Sequence, residues 1–312
     1  MSKLTHQQRI SRREAVGSLA AAGAAGIINV EAKAQAANPP AGPQEKPSRP
    51  NKGAWLTLPP TPELPATNRR GLAPLNGTSV FYAQFGEGPP PPVLLLHGGL
   101  ANAKYWGHQI QELARAHTVV VMDTRGHGQS PVTSNKFSYR TFAEDAEALL
   151  NLLKIDQAAV VGWSDGAITG LQLAISRPER ISRLFAFGAN SSPDGLKPGG
   201  SRNQVFASYV ARCRAEYSQL SLHPERWPQL VTGLGAMWRT EPNFTKAMLA
   251  TIKLPVVISI GEHDEIIRRD HSERLAKLIP GARLTIQPGV SHFGMLQNPG
   301  QFNSAVVELL RP

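Results

Sequence analysis

From about residue 72 onward the chain alternates short apolar runs with amphipathic stretches. Thr78 to Phe85 mixes apolar and polar positions in the manner of an edge strand, and Gly86-Glu87-Gly88 with four prolines ends it. Val93-Leu94-Leu95-Leu96 and Thr118 to Met122 are continuous apolar runs of strand length, as expected of strands buried on both faces of a parallel sheet. Ala158 to Val161, Arg183 to Phe187, Val256 to Ile260 and Arg283 to Ile286 continue the series. Between the first two buried runs, Trp106, Ile110, Leu113 and Ala114 recur at helical spacing. Phe142, Ala146, Leu149, Leu150 and Leu153 form the apolar face of a second helix, whose start carries Thr141 and Glu144 at capping-box spacing. Pro299 opens a last helix with Phe302, Val306, Leu309 and Leu310 facing inward. Strands alternating with helices predict an α/β fold, a mostly parallel central sheet covered by helices on both faces. The stretch of about 192–254 departs from this pattern. It has no strand-like run and is helix-compatible around Phe206–Val210 and Leu230–Thr232, which predicts a helical cap inserted between two core strands.

One strand runs directly into chemistry. Ala158 to Val161 is followed by Gly162-Trp163-Ser164-Asp165-Gly166 and then by the helix-compatible Ala167 to Ala174. A Gly-x-Ser-x-Gly turn between strand and helix lifts the serine hydroxyl above the sheet, and glycines at both flanks remove side chains that would strike the neighbouring strand and helix. A serine hydroxyl needs a base within hydrogen-bond reach, and that base needs an acid to orient it. Two later loops offer them in the expected order, Ser then acid then His. Gly261-Glu262-His263-Asp264-Glu265 follows the strand Val256–Ile260, and Gln287 to Phe293 follows Arg283–Ile286. Both loops lie past the carboxyl ends of strands, where open α/β sheets place their sites. The reading is Ser164 as nucleophile, His292 as general base and Asp264 as orienting acid, with Glu262, Glu265 and Asp194 able to take the acid's place. The oxyanion needs backbone donors. One is the N–H of Asp165, and the other comes from Leu96-His97-Gly98-Gly99-Leu100, with Gly99 the first choice and Leu100 the second. His97 reads as a structural hydrogen-bonder of that loop.

These motifs together resemble the α/β-hydrolase superfamily from about Leu72 to Pro312. The resemblance is carried by His97-Gly98-Gly99, Asp123 to Ser130, Gly162 to Gly166, Gly261 to Asp264 and Gly289-Val290-Ser291-His292-Phe293. It implies an α/β-hydrolase fold and a serine triad, and gives no chemical role to Asp123–Ser130. The Gly-Trp-Ser-Asp-Gly form, followed by Ile168 and Thr169, resembles the biphenyl-hydrolase-like, valacyclovirase-type branch. In that branch the aspartate contacts the amino group of amino-acid esters. A carboxylate favoured by the dipole of a helix N-terminus is the other reading of Asp165. The branch usually carries a second glycine where this chain has Ala167. Trp227, Trp238, Met237, Met248, Phe206 and Tyr209 give the cap an apolar and aromatic character. They suit packing onto the core, with a few lining a pocket that the sequence does not pick out.

The ends of the chain read differently. Ser11-Arg12-Arg13-Glu14-Ala15-Val16 precedes an Ala/Gly-rich run to Val30, and Ala34-Gln35-Ala36 offers small residues for cleavage. Residues 1–36 read as a twin-arginine signal peptide, which implies transient dealings with the export machinery and signal peptidase and a periplasmic or secreted product. The run is too short and weak for a stable membrane span. Residues 37–71 read as a linker, with nine prolines between Ala37 and Ala66 and few large apolar side chains. The hydrolase domain is then 72–312. Of the formal charge of +10, the leader's five basic and two acidic residues account for +3. The remaining basicity is not clustered with aromatics, so nucleic-acid binding is not expected. The single cysteine, Cys213, excludes an intramolecular disulfide and reads as a structural thiol. No cofactor and no metal are called for. The expectation is a serine hydrolase acting on a small carboxylic ester or lactone through an acyl-enzyme. An amidase or aminopeptidase, a C–C bond hydrolase and a perhydrolase share the same triad, and a ligand receptor on the same fold is the alternative of a different class.

Overall fold

Strands β1 (Arg69–Leu75), β2 (Thr78–Phe85), β3 (Val93–Leu96), β4 (Val119–Met122), β5 (Ala158–Trp163), β6 (Ile181–Phe187), β7 (Val256–Gly261) and β8 (Arg283–Gln287) form one sheet in the order β1-β2-β4-β3-β5-β6-β7-β8. The computed structural model describes residues 53–134 and 136–311. The expected signal peptide, its cleavage site and the linker up to residue 52 lie outside the described residues. β1 and β2 pair antiparallel, β2 pairs antiparallel with β4, and every other neighbour is parallel. The strands β3, β4, β5 and β7 are buried along their whole length, as their unbroken Val/Leu/Ile runs require of strands covered on both faces.

Helices α1 (Gly107–Leu113), α2 (Tyr139–Leu152), α3 (Asp165–Ser176), α4 (Gln204–Leu220), α5 (Trp227–Thr240), α6 (Lys246–Leu249), α7 (Arg269–Leu278), α8 (Gly294–Gln297) and α9 (Pro299–Leu310) complete the described part. α1 packs on α9 and α2 on α3, while α7 rests on β7. Between β6 and β7 lie the helices α4 to α6, in the stretch expected to be a helical cap, and its β structure is limited to an isolated bridge from Leu196 to Ile267. Among the described residues, no helix is long and apolar enough to cross a membrane.

Three expectations shift. Thr78–Phe85 is not the edge strand: β1 lies outside it, joined by a tight hairpin in which Asn76 and Gly77 both take positive φ, 44° and 76°. Pro74 is tolerated in β1 because an edge strand can do without one donor. The cap of α2 is Ser138, three residues before Thr141, and its hydroxyl accepts from the Thr141 N–H at 3.1 Å. Residues 53–68, expected within the linker, run irregularly but lie against the domain. Leu58 and Leu64 pack on the core, Trp55 stacks on His263 at 4.4 Å, and Arg212 of α4 donates to the carbonyls of Leu58 and Pro59. The sparse apolar residues of this segment are enough because side chains of the domain satisfy its backbone carbonyls.

Candidate active site

Ser164 sits between β5 and α3 with φ 54° and ψ −121°, a conformation that a non-glycine residue holds only when its surroundings enforce it. Those surroundings are specific. The Ser164 N–H donates to the Phe187 carbonyl at 2.8 Å, and its own carbonyl accepts from Ala167 and Ile168. A Cβ on Gly166 would come within 2.0 Å of the Leu96 carbonyl oxygen, and one on Gly162 within 2.5 Å of the Ala167 backbone. The turn therefore closes only with glycine at both positions, for the steric reason expected.

A cavity of about 200 Å³ opens above this turn. Ser164, Asp165, Gly99 and His292 line it from the core, and Phe206, Tyr209 and Trp238 line it from the cap. The buried imidazole of His292 meets Asp264 through Nδ1 and Oδ2 at 2.8 Å. The other Asp264 oxygen accepts from the N–H groups of Ile266 and Ile267, at 2.8 and 2.7 Å. A carboxylate at Nδ1 keeps the proton on that nitrogen and leaves Nε2 with the lone pair, the tautomer a general base needs. Burial pulls the His292 pKa down. The charge and hydrogen bond of Asp264, with Glu265 and Asp165 behind it, more than reverse this, so the net shift is upward. The other three carboxylates left open by the sequence do not reach the imidazole nitrogens. Glu262 accepts from the Gly289 N–H, Glu265 accepts from the His292 N–H at 3.0 Å, and Asp194 is exposed.

The loop after β3 approaches Ser164 from the other side. A Cβ on Gly98 would lie 3.2 Å from the Ser164 Cβ. Gly99 lines the cavity, whereas the Leu100 side chain is buried and the residue, at φ 70°, is not part of the lining. The buried ring of His97 contacts the Gly98 carbonyl through Nδ1 at 2.8 Å and accepts from the Thr124 N–H at Nε2. Burial and the nearby His127 hold its pKa down to about 3, so it stays neutral and serves as a strut for the loop. Asp123 likewise ties the backbone at Ala103 and Gln129 and touches no part of the cavity.

The surroundings of Asp165 are supplied from far along the chain. Its carboxylate is buried, accepts from the Tyr139 hydroxyl at 2.8 Å, and receives the Trp238 indole N–H at 3.1 and 2.9 Å. Burial pushes its pKa up to about 6 against the opposing effect of those donors and of His292. No cationic side chain pairs with it among the described residues, and it faces the cavity. Tyr139, Glu241 and Gly188 were not marked by sequence reasoning. Tyr139 and Glu241 line the cavity, with the Glu241 carboxylate accepting from the Tyr139 N–H at 3.0 Å. Gly188 abuts the imidazole of His292. Of the cap aromatics, Trp227 packs on Tyr217 instead of lining the cavity. Cys213 is buried, and its thiol is pushed up to about 12 by burial, which keeps it protonated and unreactive.

The chain matches the family model of the alpha/beta hydrolase fold over residues 91–208. It is 31% identical over 250 residues to serine hydrolase BPHL of Mus musculus, covering 76% of this chain and 84% of that protein. It is 27% identical to a pimeloyl-acyl-carrier-protein methyl ester esterase of Aeromonas hydrophila, covering 72% of this chain and 96% of that one. Among solved structures, Est816, described as an N-acyl homoserine lactone degrading enzyme, superposes with a TM-score of 0.64 at 25% identity, covering 75% of this chain and 97% of that one. With its strand order, its strained serine turn and these relatives, the chain belongs to the α/β-hydrolase fold family and is a hydrolase.

Proposed function

We propose that the protein is a serine hydrolase that cleaves a small carboxylic ester or lactone through an acyl-enzyme. The observation that carries this reading is the convergence of Ser164, in its enforced conformation, and the Asp264-bonded His292 on one cavity. Ser164 Oγ attacks the carbonyl carbon as His292 Nε2 takes its proton, and Asp264 stabilises the imidazolium that forms. The N–H groups of Asp165 and Gly99 receive the oxyanion. The imidazolium then returns the proton to the departing alcohol. Water, deprotonated by the same nitrogen, releases the acid. Ser164→Ala should lower kcat for the best ester by roughly 10⁴–10⁶; retention of most activity would end the assignment. Fluorophosphonate labelling of Ser164 together with turnover of p-nitrophenyl acetate separates an enzyme from a receptor on the same fold, since a receptor would label without turning over.

The Asp165 carboxylate favours one refinement, an acyl group bearing an ammonium. A buried carboxylate whose side-chain donors among the described residues are neutral, open to a cavity walled by Tyr139 and Trp238, suits a cation by charge. A charge-assisted bond there is worth about 1.5–3 kcal/mol, or roughly 10–150-fold in kcat/KM between an amino ester and its des-amino analogue. Asp165→Asn should erase that ratio; an equal effect on both esters would remove the idea. We further propose export by the twin-arginine route, on the strength of Arg12 and Arg13 ahead of the Ala/Gly-rich run. Changing both arginines to lysine should abolish periplasmic accumulation, and unchanged fractionation would refute it.

A further inference from the structure

We infer that Tyr209, a residue of the cap, is a positioning residue for the oxyanion donor at Gly99, so that the cap takes part in the chemistry as well as in substrate binding. This rests on the serine-hydrolase reading above. A backbone donor is only as good as its aim, and Gly99, as a glycine, brings few constraints of its own. The structure supplies those constraints from outside. The peptide that carries the Gly99 N–H has as its carbonyl Gly98 O, held by His97 Nδ1 at 2.8 Å and by the Ala101 N–H at 3.2 Å. In a trans peptide the N–H points opposite the carbonyl, so these two bonds aim the donor from one side. The next peptide has Gly99 O as its carbonyl, and the Tyr209 hydroxyl donates to it. With both flanking peptides anchored, neither torsion of Gly99 is free to relax. Trp238 closes the remaining side: a Cβ on Gly99 would lie 2.6 Å from its indole ring and 2.4 Å from Asp165 Oδ2.

The phenol is itself held in place. Tyr209 is buried among Trp163, Phe293, Tyr105 and Phe206, with ring centroids 5.7, 4.9, 5.8 and 5.6 Å away. Burial also raises its pKa well above the ordinary tyrosine value, so the hydroxyl remains a donor throughout the working range. Of the two anchors, His97 belongs to the core loop and stays whatever the cap does. Tyr209 belongs to α4, so lifting α4 would release Gly99 O and leave the donor aimed by one peptide alone. Turnover would then require the cap to be docked, which confines acyl transfer to the closed, desolvated state.

The test is Tyr209→Phe, which keeps the ring and removes only the hydroxyl. Loss of a whole oxyanion donor costs about 10²–10³ in kcat, so a misaimed one should cost about tenfold or more, with KM changed by less than about twofold. Inhibition by an alkylboronic acid, whose tetrahedral adduct on Ser164 places an oxygen in the same site, should weaken by a similar factor. A role confined to packing would lower the melting temperature and leave kcat per fluorophosphonate-titrated serine unchanged, and that result overturns the proposal. Tyr209→Leu provides a second hydroxyl-free side chain should the first variant fold poorly; a kcat loss absent from whichever variant folds also overturns it. Wild-type kcat in Tyr209→Phe beside an inactive Ser164→Ala removes this proposal and leaves the hydrolase reading standing. No Ser164-dependent turnover in the wild-type protein removes both.

Discussion

Gly188→Ala tests the geometry of His292, the proposed general base, without altering the chemistry of any group proposed to react. Gly188 follows β6 with φ 65°, a conformation that costs an L-residue roughly 1–2 kcal/mol. Its missing side chain also makes room for the imidazole. A Cβ there would lie 2.8 Å from His292 Cε1, 3.0 Å from Nδ1 and 3.5 Å from Asp264 Oδ2. Carbon atoms settle at about 3.5–4.0 Å, so the ring or the β6 turn must retreat by roughly an ångström. The ring's retreat is resisted by its 2.8 Å bond to Asp264. A displacement of about 1 Å in a catalytic group costs on the order of 10²-fold in rate. The matched control is Gly77→Ala in the β1–β2 hairpin, which has φ 76° but open space around its Cβ. Gly77→Ala should lose about 1–2 kcal/mol in urea unfolding, and Gly188→Ala at least as much, because its clash adds to the same backbone cost. Only Gly188→Ala should lose about 10²-fold in kcat, measured per fluorophosphonate-titrated serine. If Gly188→Ala kept kcat within about twofold of the Gly77→Ala value, the imidazole would not occupy the place the structure gives it, and the proton-transfer step would need a different base.

The other expectations can be checked with the same assays. The proposed general base His292 has to be neutral to act, and its pKa lies above the ordinary 6.5, so on that proposal kcat/KM should rise with pH through the raised value. The linked stability runs the other way: the imidazolium's favourable contacts contribute fully below 6.5 and are lost as pH climbs through the folded-state pKa. A pH profile rising below 6.5 would contradict this. Glu265→Gln keeps an acceptor for the His292 N–H but removes a negative charge beside the ring. It should therefore move the acid limb to lower pH with little change in the plateau, and an unmoved limb would mean that Glu265 acts only through its hydrogen bond. The amino-ester preference assigned to Asp165 should fade as pH falls through about 6, and taking the ratio of amino to des-amino ester cancels the titration of His292. Phe302→Ala, which empties a fully buried site between Trp106, Phe185 and Phe187, should cost about 3–5 kcal/mol in unfolding free energy while sparing kcat.

What could be read from the residues, and what could not, follows the range of the forces involved. β3, β5 and β7 were legible because strands buried on both faces leave no choice but continuous apolar runs. The serine turn was legible because its steric demands fall on positions one or two residues away. β1 was missed because Arg69-Arg70-Gly71-Leu72-Ala73-Pro74-Leu75 pays for an edge position with exposed and polar residues, although Asn76-Gly77 is a strong local signal for the hairpin that joins it to β2. The α2 cap moved by three residues because Ser138 and Thr141 both have the chemistry of a cap, and only the path of the incoming chain decides between them.

The cavity is the opposite case. Asp165 looks the same in its own sequence whether it merely sits well at a helix N-terminus or holds a substrate cation. The setting that favours the second reading is made by Tyr139 and Trp238, 26 and 73 residues away, which surround it with neutral donors and bury it. Likewise, aromatic residues along α4 fit a core-packing face as well as a pocket wall. Tyr209 acquires its place at Gly99 only because α4 crosses a loop 110 residues earlier in the chain. Such contacts depend on the docking angle of the cap, which no local pattern encodes. Two hydrolases with the same triad and turn can therefore differ wholly in what they accept and in how well their oxyanion donor is aimed. On the proposed reading both properties converge on the pair Gly99 and Asp165, and the cap reaches them through Tyr209 of α4 and Trp238 of α5, beside His97 and Tyr139 of the core. Changes of substrate in this protein should then come through α4 and α5, and should alter kcat together with KM instead of KM alone.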